Sequence, residues 1–119
     1  MWSTVNQKRV DYMMSANNKD GPVPQRVALV AQYVFFAMSD LGFVDPRIAS
    51  NPRGGFEMYY SKLRTYITIM NEYPLYEMSF IGDTKIPDVA TVGTYTTVSD
   101  IINKVHTFLD QSAVSCKYL

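Results

Sequence analysis

The chain has 119 residues, 47% hydrophobic, 13% aromatic and 18% charged, which is enough apolar material for one core and too little length for two. Eleven Lys and Arg balance eleven Asp and Glu, so no net cationic field draws the chain onto nucleic acid or an anionic membrane. That apolar content also excludes a disordered coil, and the longest apolar run, Val27 to Met38, is broken by Gln32 and falls short of the roughly 20 residues of a membrane helix.

Residues 1–22 read as an N-terminal arm or short helix. Ser3 or Thr4 is a candidate N-cap for residues 3–14, where Val5, Val10, Met13 and Met14 follow a loose helical spacing. Met1 to Arg9 lacks the apolar stretch of a secretory signal, and no N-x-[ST] acceptor occurs, so export is not expected. Ser15 to Pro22 has loop composition, and Pro22 and Pro24 suit the start of a helix, where a missing N–H costs nothing.

Val27, Val30, Ala31, Val34, Phe35, Met38 and Leu41 recur at three and four residues, with Ala28, Leu29, Phe36 and Ala37 on the opposite side. This predicts a buried central helix over about 24–41, stopped by Gly42, which adopts the left-handed conformation without a side-chain penalty. Residues 43–55 hold two prolines and the pair Gly54-Gly55 and read as a long connection with one short turn at 45–49, pinned to the core by Phe43, Val44 and Ile48. Phe56, Tyr59, Tyr60, Leu63, Tyr66, Ile67 and Met70 return to helical spacing, favouring a helix over 56–71, although Tyr66-Ile67-Thr68-Ile69 is β-branched enough to keep a strand open.

Pro74 ends that element. Leu75 to Ile81 is apolar with no assignable period, and Gly82 to Gly93 reads as loop. Thr97-x-x-Asp100 opens a last helix over 97–110, striped by Val98, Ile101, Ile102, Val105, Phe108 and Leu109. The expected architecture is a single all-α domain over residues 1–119, a small bundle of three to four helices with long loops.

Chemistry is sparse in this pattern. No G-x-S-x-G, Walker A or G-x-G-x-x-G motif occurs, and the carboxylates show neither E-x-x-H nor D-x-D-x-D-G spacing. His106 is the single histidine, and it reads as a residue flanking the apolar stripe of the last helix. Cys116 is the single cysteine, a reduced tail residue that allows no internal disulfide. No enzyme, metal or cofactor is therefore expected. Nine Tyr, seven Met and six Phe are the compositional oddity, suited to interfaces as well as to cores. Arg47, Arg53, Lys62 and Arg64 with Tyr59, Tyr60 and Tyr66 interleaved could stack on a nucleic acid, but the balanced charge favours a protein partner, which assigns Arg53, Tyr59, Tyr60, Lys62 and Arg64 as partner-binding residues.

Ile86-Pro87-Asp88-Val89-Ala90, followed by Tyr95-Thr96-Thr97-Val98-Ser99-Asp100-Ile101-Ile102, resembles the end of acyl carrier proteins. Arg26 to Leu41, Gly42 and then Val44 to Ile48 are similar to that family's first helix, its Leu-Gly stop and the loop after it. The resemblance implies a helical bundle and a phosphopantetheine arm on a serine, for which Ser61 in Tyr60-Ser61-Lys62-Leu63 is the nearest position. The family's Asp-Ser-Leu is absent, and Lys62 and Arg64 are basic where the family presents an acidic docking face.

Three functions follow as expectations. The leading one is a non-catalytic structural or interaction subunit packing into a homo- or hetero-oligomeric assembly such as a virus (phage) particle, with protein partners, no nucleic acid and no membrane. Its location would be the cytoplasm, or a virion within the host cytoplasm. The second is a divergent acyl-carrier-like protein using Ser61, and the third a small inhibitory or regulatory binding protein.

Overall fold

Helices and strands share this chain. The computed structural model describes residues 4–81, 90–95 and 97–116. In chain order they form α1 (Thr4–Met14), α2 (Gln25–Asp40), β1 (Arg47–Ser50), β2 (Phe56–Tyr60), a single 3-10 turn (Ser61–Leu63), β3 (Thr65–Glu72), β4 (Leu75–Ile81), β5 (Ala90–Tyr95) and α3 (Val98–Cys116). The five strands make one antiparallel meander in the order β1-β2-β3-β4-β5. The all-α bundle is thus corrected to a mixed α/β fold of helices against a sheet.

The correction centres on residues 56–71, expected as a helix and found as β2, the turn and β3. Phe56, Met58 and Tyr60 are buried at every second position, as are Thr65, Ile67 and Ile69, so the period is two. The helical spacing arises because Tyr59, Tyr66 and Met70 are large apolar residues on the other face, filling positions a helix template also counts. Paired in the sheet, Ile67 sits opposite Met58 on one side and Phe80 on the other, and Ile69 sits opposite Phe56 and Met78. β-branched residues whose χ1 freedom a helix would restrict here pack against cross-strand neighbours.

Three further expectations change in the same direction. The connection over 43–55 contains β1, whose Ile48 is buried opposite Met58. The unassigned segment 75–81 is β4. The loop read over 82–93 contains the start of β5, while residues 82–89, including the Ile86-Pro87-Asp88 of the carrier resemblance, lie outside the described residues, as does Ser3.

The helices agree with their periodicity. α2 ends with Gly42 at φ +91°, its N–H donating to Ser39 O at 3.0 Å and Phe43 N–H donating to Met38 O at 3.0 Å, the two bonds of a Schellman closure. Thr97 Oγ1 accepts the Asp100 N–H at 3.1 Å and caps α3. Val27, Val34, Ile101, Val105 and Leu109 from α2 and α3 join Ile48, Phe56, Met58, Ile67, Ile69, Met78 and Phe80 from the sheet in one core. Phe80 and Phe108 meet at 5.0 Å between ring centroids. α1 adds Val10 and Met13, both buried, so the N-terminal segment is part of the core and not a free arm.

Candidate functional site

Alternation along the strands decides which side chains the helices cover. The inward row of Ile48, Met58, Ile67 and Phe80 closes the core, and the next register position of each strand points the other way: Arg47 pairs with Tyr59, Tyr59 with Tyr66 and Tyr66 with Ile81. None of these four belongs to the core cluster. Tyr59 and Tyr66 stack at 4.3 Å between centroids with their planes 23° apart, and Tyr66 and Ile81 remain 46% and 52% exposed. A shallow depression of about 240 Å3 runs among Arg47, Ala49, Glu57, Tyr59 and Tyr66 on this outer face.

A second, larger groove of about 460 Å3 lies between α1 and β1. It shares Ile48 and Ala49 with the depression on the outer face, so the two form one surface passing over the edge of the sheet. Val5, Lys8, Arg9 and Tyr12 come from α1 at helical spacing that sets them on one face. Tyr12 is held in place by its hydroxyl, which donates to Asn17 O at 2.7 Å. At the far end Asn18 Nδ2 donates to Ser50 Oγ at 3.0 Å and Ser50 Oγ donates to Asp20 Oδ2 at 2.8 Å, tying the α1–α2 loop to β1.

The residues assigned to partner binding do not form one cluster. Arg53 lies in the turn before β2, and Lys62 and Arg64 lie beyond its other end, so a strand separates them. Arg53 is fixed through its backbone, whose N–H donates to Asn51 Oδ1 at 3.0 Å, and Arg64 takes the left-handed conformation at φ +51° to close the 3-10 turn. Tyr59 is on the outer face as an interface residue would be. Tyr60, its neighbour, is 4% exposed and faces the core, its hydroxyl without a hydrogen-bond partner among the described residues. Burial, and secondarily the carboxylate of Asp45, push its phenol well above the ordinary value.

Ser61 is exposed at the start of the 3-10 turn, beside a hollow of about 220 Å3 that also borders Phe43, Val44, Asp45 and Leu63. The carrier resemblance implies a serine opening a helix of a bundle, and Ser61 instead links two strands. Sequence reasoning missed Lys8, Arg9, Tyr12 and Lys19, because α1 and β1 are more than thirty positions apart in the chain and only folding brings them together.

Other chemistry-bearing residues occupy structural positions. His106 Nε2 is 3.0 Å from Asp110 Oδ2 one helical turn on, and its ring meets Phe43 edge-on at 6.3 Å. Cys116 is the last residue of α3. Among the described residues no group of His, Cys, Asp and Glu gathers as a metal site, and no helix is long and apolar enough to cross a membrane.

These elements define a two-layer α/β architecture in which a five-stranded meander is packed on one face and carries an aromatic and cationic surface from its first edge onto its other face. Comparison with protein-family models, with curated proteins and with solved structures finds no match to this chain.

Proposed function

We propose that this protein is a non-catalytic interaction subunit that recognises protein partners and packs into a larger assembly. The observation that supports this reading is the continuous surface from Lys8, Arg9 and Tyr12 across the edge of β1 to Arg47, Tyr59 and Tyr66. Stacked tyrosines offer large, rigid area at low entropic cost, and arginine with tyrosine is the composition enriched at protein interfaces. The chain as a whole carries no net charge, which suits a partner that is recognised locally and not by a general polyanion field.

The test is mass in solution. Size-exclusion chromatography with light scattering, with any copurifying chain identified, should give a species heavier than the 13.5 kDa chain. Tyr59→Ser with Tyr66→Ser should return that species toward the monomer, because neither residue contributes to the core. A 13.5 kDa monomer at all concentrations with no copurifying chain would overturn the reading.

A further inference from the structure

The groove between α1 and β1 has a volume of about 460 Å3, within the roughly 300 to 1,000 Å3 typical of sites that take small organic molecules. Its floor is closed, because the lining residues Met13 of α1 and Ile48 of β1 are both buried where the helix is seated on the strand. Its sides are open and apolar. Val5 and Tyr12 are 64% and 51% exposed, and their separation of seven residues puts them on one face of α1, two turns apart. Ala49, also exposed, lines the groove from β1.

Charge is the second property of this groove. Lys8, Arg9 and Lys19 line it and no carboxylate does. All three cations are exposed, and none forms an ion pair among the described residues. The two aspartates of the same segment accept hydrogen bonds elsewhere, Asp11 from Gln7 Nε2 at 3.0 Å and Asp20 from Ser50 Oγ at 2.8 Å. Lysine and arginine lay their aliphatic stems along apolar surface and keep their charged heads in water. The groove is therefore an apolar trough with a cationic rim, on a chain whose net charge is zero.

We infer that this groove binds a small amphipathic anion, a single alkyl chain ending in a carboxylate. The chain lies along Val5, Tyr12 and Ala49 and removes their exposed apolar area from water, and the carboxylate is held at the rim by Lys8 and Arg9, whose guanidinium fork matches its two oxygens. An inorganic anion would meet only solvated cations and gain nothing from the apolar walls. The trough is recessed between a helix and a strand, which suits a free molecule entering it, and a chain of zero net charge has no field drawing it onto an anionic bilayer. This site is independent of the assembly reading and adds a ligand to it.

The experiment titrates the full chain with dodecanoate below its micelle concentration, followed by calorimetry. Saturable binding in the micromolar range is expected, with octanoate at least about tenfold weaker because fewer methylenes are buried, and dodecyltrimethylammonium at least about tenfold weaker because its charge is wrong. Lys8→Glu with Arg9→Glu should weaken dodecanoate about tenfold, less so at high salt, and strengthen dodecyltrimethylammonium, a reversal that a misfolded variant cannot produce. Amide NMR shifts on adding dodecanoate should centre on Val5, Tyr12 and Ala49 and leave Ile81 unmoved. Absence of saturable binding, equal affinity for the two head groups, indifference to chain length, shifts centred elsewhere, or binding to phosphatidylglycerol vesicles without binding to free dodecanoate would each overturn the inference. A heavy assembly that does not take dodecanoate removes this inference alone; a lone monomer without a copurifying chain that binds it by these criteria removes the assembly reading alone.

Discussion

Tyr59 and Tyr60 are adjacent in the chain and serve opposite sides of one strand: the first stacks outward on Tyr66, the second is buried beneath the helices. Because the phenol of Tyr60 is raised above its ordinary value of 10.0, the unfolded chain loses this proton at lower pH than the native chain does. Between those two values the unfolded state binds fewer protons, so stability falls as pH rises, and below the ordinary value the group adds no pH dependence. Tyr60→Phe should be at least as stable as the parent at neutral pH, since it removes a buried hydroxyl without a partner among the described residues, and should lose less stability above pH 10.0, as measured by urea unfolding across the alkaline range.

Arg26 shows the opposite case of a charged residue fully used. From the first turn of α2 it donates to Asn71 Oδ1, to Pro74 O at 2.9 Å and to Leu75 O at 3.2 Å, and its guanidinium lies 3.9 Å from the centroid of Tyr76. It thereby fastens the β3–β4 turn to the helix. Arg26→Ala should cost about 1 to 2 kcal/mol, and Arg26→Lys should recover less than half, because a point ammonium cannot reproduce the fork and the ring contact together. Chemical denaturation checks both.

Among the elements, residues 56–72 carry the clearest lesson. Large apolar side chains on both faces satisfied a helical template and a strand template at once, and the deciding signal was the β-branched run Tyr66-Ile67-Thr68-Ile69. Two glycines before it, Gly42 closing α2 and Gly55 in the β1–β2 turn, serve for different reasons. Gly42 needs its positive φ and has open space where a Cβ would stand, so Gly42→Ala should cost about 1 kcal/mol by strain alone. At Gly55 an added Cβ would lie 2.6 Å from Asn51 Nδ2, the side chain whose Oδ1 accepts from Arg53 and Gly55. Gly55→Ala should therefore cost more than Gly42→Ala, since it dislodges the turn that aligns β1 with β2. Thermal unfolding of the pair orders them.

At the scale of the whole molecule, α1 is a structural layer and one wall of the candidate docking groove. Val10 and Met13 are each 4% exposed, and the Val23 N–H donates to Met13 O at 2.8 Å. Deleting residues 1–22 should cost about 3 to 6 kcal/mol from these two side chains, lowering the melting temperature by at least about 10 °C, whereas a dispensable arm would leave it unchanged. Differential scanning calorimetry distinguishes the outcomes.

The amphipathic helices read over 24–41 and 97–110, with Gly42 and Thr97 at their ends, were legible in the chain, because helical periodicity and caps are local and need no partner, whereas α3 continues to Cys116, past its last striped residue Leu109. Strand assignment, the pairing of β1 with β2 and the meeting of α1 with the edge of β1 were decided by tertiary structure. A strand satisfies its backbone through residues outside its own segment, and a groove built from Lys8, Arg9 and Ile48 exists only once α1 has packed against β1.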